Sequence, residues 1–204
     1  MKKIQMGAVA GILFPLSVFA LVSISTKYSY DPTATDSAYV AKLIEQTSTI
    51  QFAAGMGLLS VVLLLIHLEW LTGVVSKHAP FSAKVARSCG QIAAIGVSLT
   101  YGLTFLAAEG ASEDWPDQAV QAVSQIGGSI GWVLMGALGA FAGVIAFQGW
   151  KGKFPKWIAL LATLETLIVV IATGAGELWI TFMPTMVWLL INAVGLLFHE
   201  RKTA

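Results

Sequence analysis

Two ionisable side chains, His67 and Glu69, stand inside residues 50–75, an otherwise lipid-compatible run (IQFAAGMGLLSVVLLLIHLEWLTGVV). About 20 apolar residues, each rising roughly 1.5 Å, carry a helix across a bilayer core. Ionisable groups at that depth cost free energy, so they face a bundle interior, a partner or a water-filled cavity. Glu165 interrupts a second apolar run and Asn192 a third. A carboxyl group beside an imidazole at membrane depth suits proton-coupled chemistry, because histidine titrates near neutral pH.

Depth along the helices suggests partners. His67 precedes Lys77 by ten residues, roughly 15 Å of helix. Glu165 follows Trp157 by eight residues, roughly 12 Å. The matched depths predict a His67–Glu165 pair. Glu69 lies nearer the same boundary, level with Arg87, and predicts a Glu69–Arg87 ion pair. His67 and Glu69 are two positions apart, about 200° around a helix, so they need separate partners. The plainer reading of the same residues is structural, with paired charges and a satisfied histidine that fix helix register.

Other chemistries find less support. A haem needs axial ligands within the bundle, and His67 is the one histidine at membrane depth, with His78 and His199 at helix ends. His67-x-Glu69 does not present both side chains to one metal, and His199-Glu200 sits in the tail. Cys89 is the one cysteine; it stands close to Arg87 and reads as a small apolar residue. No HExxH or Walker pattern occurs, and the glycine spacing around Gly127-Gly128-Ser129-Ile130-Gly131 in the fourth helix reads as packing because no strand precedes it. No catalytic residue, metal or cofactor is therefore expected. Trp70, Trp150 and Trp157 fall near one membrane boundary and Trp115 and Trp179 near the other, as an aromatic belt requires. Trp132 and Trp188 are deeper and read as packing residues.

The elements that must position these side chains follow from composition. The chain has 204 residues, 56% hydrophobic and only 11% charged. Soluble domains carry about 25% charged residues, so an integral membrane protein is expected. A net charge of +1 offers nothing to a nucleic acid. The apolar runs predict an all-α, polytopic bundle of six transmembrane helices forming one domain over 1–204, at about 4–26, 50–75, 88–108, 123–148, 157–173 and 177–199.

The first run poses a choice between a retained helix and a secretory signal peptide, since Lys2, Lys3 and Val18-x-Ala20 fit the latter. Its apolar run exceeds the usual signal core, which favours retention. Gly7 and Gly11 give it a close-packing face, and Pro15 predicts a kink or a break. Asp36 would cap a short amphipathic segment over 37–48, lying along the interface. The fourth helix carries Gly127, Gly131, Gly139 and Gly143, a face for close contact that places it centrally and offers a surface to a second copy or a membrane partner. A short glycine turn, ATGAGE, makes helices five and six a tight hairpin, and Pro184 predicts a kink in the sixth.

Lysine and arginine gather at the N-terminus, at 77–87, at 151–156 and at 201–202, while EGASEDWPDQ carries only acids. The positive-inside rule then puts both termini in the cytoplasm, with the bundle in the plasma (inner) membrane. HLEWL and TLETL give Glu69 and Glu165 the same Leu-Glu-x-Leu setting, an echo an inverted repeat would produce. The favoured function is a non-enzymatic membrane protein that moves or senses a small solute or proton through a site built from His67, Glu165 and Asn192. The alternatives are a structural or accessory subunit of a membrane complex and, behind it, a membrane-embedded enzyme or haem protein.

Overall fold

A computed structural model describes residues 3–25, 36–77, 79–152 and 155–203. Among them the chain forms six α-helices: α1 (Lys3–Ser25), α2 (Asp36–Ser76), α3 (Pro80–Ser112), α4 (Asp117–Trp150), α5 (Lys156–Ala175) and α6 (Phe182–Thr203), with a 3-10 turn, Leu178–Thr181, before the last. Four of them, α2 to α5, are long and apolar enough to cross a membrane, and the chain is a membrane protein on that ground. Within their described parts α1 and α6 carry shorter apolar stretches, Met6–Leu21 and Phe182–Gly195.

Consecutive helices run antiparallel. Gly7 and Gly11 of α1 face Trp70 and His67 of α2; Gly57 and Gly90 face Tyr101 and Leu68 across α2–α3; Gly96 meets Leu134 across α3–α4. Gly139 and Gly149 of α4 meet Val169 and Ala159 of α5, and Gly195 of α6 meets Trp157 of α5. Antiparallel order puts Lys77, Lys84, Arg87, Lys151 and Lys156 at one end and Glu109, Glu113, Asp114 and Asp117 at the other. The bundle thus has a basic end and an acidic end.

The helices are longer than the apolar runs. α2 has 41 residues, about 61 Å, roughly twice a bilayer core. Residues 37–48 do not lie along the interface, because nothing between Ser37 and Ile50 breaks the helix and they continue α2. Tyr39, Val40, Leu43 and Ile50 pack on Ala107, Ala108 and Ala111 of α3 and on Val120 of α4, forming a second small core at the acidic end. The Tyr39 hydroxyl donates to Ser124 Oγ at 2.9 Å. The basic stretch after α2 is likewise mostly helix, since α3 begins at Pro80, a residue suited to a first turn because its missing N–H is not needed there.

Neither proline breaks a helix. α1 continues through Pro15. Pro184 falls in the first turn of α6, where it removes no helical hydrogen bond, so no kink is required. α5 ends at Gly176, whose φ of 74° is left-handed, and the Glu177 N–H closes back on Ala172 O at 2.9 Å. The turn is short, as its glycines imply. The hairpin is nonetheless loose, because α6 rests more on α1 than on α5.

The main core joins all six helices. Phe14, Leu64, Leu71, Leu138, Phe141, Ile145, Ile158 and Leu189 are buried in it. α4 touches α2, α3, α5 and α6. Three of its four glycines named above are taken up inside the chain: Gly127 against Leu103 of α3, and Gly139 and Gly143 against Val169 and Thr166 of α5.

Candidate functional site

The structure does not bring His67 and Glu165 together. Both side chains are buried, and both lie about nine residues, roughly 14 Å, from the basic-end terminus of their helix. The depth match is real. The neighbours differ, because α2 packs against α1, α3 and α4, whereas α5 packs against α4 and α6.

His67 turns to α1. Its Nδ1 lies 3.0 Å from the Gly7 carbonyl oxygen. A carbonyl only accepts, so Nδ1 carries the proton and Nε2 is left with a lone pair. Nε2 has no partner. One turn on, the Trp70 ring sits 5.6 Å from the imidazole, tilted by 44°. The two rings fill the dimples over Gly11 and Gly7. A Cβ on Gly11 would meet His67 Nδ1 at 2.1 Å, and one on Gly7 would meet Trp70 Cγ at 2.2 Å. The Gly-x-x-x-Gly face of α1 thus receives two aromatic knobs that are three residues apart on α2.

Glu165 turns to α6. Its Oε1 accepts from the Thr185 hydroxyl, and both residues are buried. Asn192 follows Thr185 by seven residues and so shares its face of α6, about 10 Å along the axis. It is buried too; its Nδ2 donates to Trp188 O at 2.8 Å, and its Oδ1 has no partner. Trp188 packs edge-to-face on Phe141 of α4, with centroids 6.4 Å apart. The three residues proposed to share one polar site therefore occupy separate positions.

The Glu69–Arg87 pair is present. Arg87 Nε donates to Oε1 at 2.8 Å and Nη2 to Oε2 at 3.1 Å, a two-pronged contact between α2 and α3. Both side chains are about half exposed. The pair lines a small groove with Leu65, Leu68, Thr72, Gly90 and Gln91. Cys89 is a half-buried free thiol packed at the edge of the main core. His78, and the side chain of His199, lie outside the described residues.

Two features escaped the sequence. Thr185 carries no signal that it would meet Glu165, since Thr166, Thr173 and Thr181 are as polar and as apolar in setting. The second is a chamber of about 360 Å³ at mid-length of α1, α3 and α4, reaching the start of α6. Trp132, read as a packing residue, stands on its wall. Comparison of the chain with known protein families, curated proteins and solved structures found no match.

Proposed function

We propose that this chain is a non-enzymatic membrane protein that crosses the plasma (inner) membrane six times with both termini cytoplasmic, and that it serves as a structural or accessory subunit whose buried polar residues fix the helix order. The carrying observation is that each buried ionisable group engages the backbone or hydroxyl of a packed helix instead of another ionisable group: His67 with Gly7 O, Glu165 with Thr185. Contacts of this kind specify which helices are neighbours, and among the described residues no chain of hydrogen bonds links the two side chains.

Six crossings are supported by length. α1 and α6 have 23 and 22 residues, about 34 and 33 Å, against a core of about 30 Å. The orientation is supported by the separation of basic and acidic ends. A reporter fused after Gly110 is expected outside and one after Gly152 inside; the reverse pattern overturns the topology.

The test of the structural reading is thermal unfolding in mild detergent. Glu165→Leu and Thr185→Val should each lower the transition temperature, and the double variant should lose less than their sum. Additive losses remove the proposed lock. A second reading, movement or sensing of a proton, is favoured by one observation, the buried and unpartnered Nε2 of His67. It expects a pH-dependent proton flux in proteoliposomes that His67→Gln abolishes while the fold survives. Wild-type protein with no such flux leaves the structural reading standing alone.

A further inference from the structure

The chamber lies among four helices that the polar contacts do not account for. Phe14 and Val18 come from α1, Val97 from α3, Leu134 and Met135 from α4 and Met186 from α6, and these six buried residues form its floor. Its mouth is on α4, at Gly128 and Trp132, both exposed. Gly128 and Trp132 open the space to the outer surface of the bundle, which in a bilayer meets lipid tails, so the mouth is continuous with the protein–lipid interface.

Water is a poor occupant. Apolar cavities lined by side chains of this kind stay dry and take apolar guests. The Thr100 hydroxyl on the wall is turned away, 2.9 Å from Gly96 O and 3.3 Å from Gly127 O. Among the described residues no charged side chain lines the space. A volume of about 360 Å³ falls at the lower end of small-ligand sites, roughly 300–1,000 Å³. It accommodates a stretch of hydrocarbon; Thr100 and Tyr101 carry the hydroxyls on a lining that is otherwise apolar.

We propose that this chamber holds one acyl chain of a membrane phospholipid, which enters sideways past the face of α4 that carries Gly128 and Trp132 and reaches the core between α1 and α6. Two glycines keep the way open. A Cβ on Gly128 would meet nothing within 4 Å, and one on Gly131 would first meet Thr100 Oγ1 at 3.8 Å. A Cβ is therefore accommodated at both positions, which makes them the places to introduce a larger apolar side chain. The inference is independent of the structural reading above, since it uses none of His67, Glu165 or Thr185.

The experiment is photolabelling in phosphatidylcholine liposomes doped with a phospholipid that carries a diazirine at mid-chain, with the sites mapped by peptide mass spectrometry. Wild-type protein should be labelled at Met135 and Met186, which are otherwise buried, as well as at lipid-facing Val170 and Ile171. Gly131→Leu should lower floor labelling at least five-fold and leave Val170 and Ile171 unchanged. Gly128→Leu is the second variant, blocking the mouth instead of the interior, with the same result expected. Equal floor labelling in wild type and both variants, or none in the wild type, overturns the proposal. So does a diazirine-bearing isoprenoid alcohol that labels the floor more strongly than the phospholipid at equal mole fraction, because the occupant is then not an acyl chain.

Discussion

Glu69 and Glu165 sit in the same Leu-Glu-x-Leu setting, and each reaches across to the helix that follows its own. There the likeness ends. Glu69 is half exposed at the α2–α3 seam and meets a guanidinium through two hydrogen bonds. Glu165 is buried at the α5–α6 seam and meets one hydroxyl. An exposed, fully paired carboxylate asks little of its surroundings. A buried carboxyl group with one neutral partner depends on the packing that keeps it there, so the second seam should be the less forgiving of the two.

The largest test breaks the packing around Glu165. Gly139→Ala on α4 places its Cβ 2.5 Å from Val169 Cγ1 of α5, one turn from Glu165, and should cost about 3 kcal/mol, seen as loss of a monodisperse peak in detergent or a steep fall in transition temperature. Gly90→Ala at the first seam is the matched change. Its nearest neighbour is Leu68 Cδ1 at 3.3 Å, the free end of a flexible side chain, and the cost should stay within about 1 kcal/mol. Equal losses would show that the packing beside Glu165 is no less forgiving than that of the first seam.

Next in size is Thr185→Val, which keeps the shape and removes the donor. Leaving a buried acceptor unpaired should cost about 1–3 kcal/mol by thermal unfolding. A neutral result would show that Glu165 finds another donor. Smaller again is Arg87→Gln, expected to cost about 1 kcal/mol or less because both partners are half exposed. Its effect should shrink further between low and high salt, whereas that of Thr185→Val should not. Double-mutant cycles sharpen the contrast last: coupling of about 1 kcal/mol or more for Glu165 with Thr185, and less for Glu69 with Arg87.

The outcomes at the two seams explain what was legible. The Glu69–Arg87 pair could be read from sequence because α2 and α3 are joined by only a few residues and must be neighbours. Once adjacency is given, equal depth is enough. His67 and Glu165 also have equal depth, but α2 and α5 are far apart in the chain, and α1 and α6 stand where the partner was expected. The partners actually taken, Gly7 O and Thr185, were invisible for related reasons. One is a backbone carbonyl, which any residue supplies; the other is one threonine among several in apolar helices.

Helix ends show the same division. Gly176 marks a stop by its own backbone chemistry within the expected glycine turn, whereas α3 starts at Pro80, eight residues before the expected 88, because Pro80 suits a first turn. The extent of α2 toward the acidic end was missed because residues 37–48 are too polar to look like part of a membrane span. They are helical because the alanines of α3 give them an apolar surface to lie on.

Composition and local pattern by themselves determined that this is a helical membrane protein, roughly where its apolar runs fall, how deep each ionisable group lies, and which end of the bundle is basic. All of these depend on residue type and on the fixed rise of a helix. Which non-consecutive helices touch, which face each turns inward, and where they leave a chamber were decided only in the tertiary structure. Those outcomes depend on the fit of side chains such as His67 and Trp70 into Gly11 and Gly7, and that fit is a property of two surfaces together, written in neither segment alone.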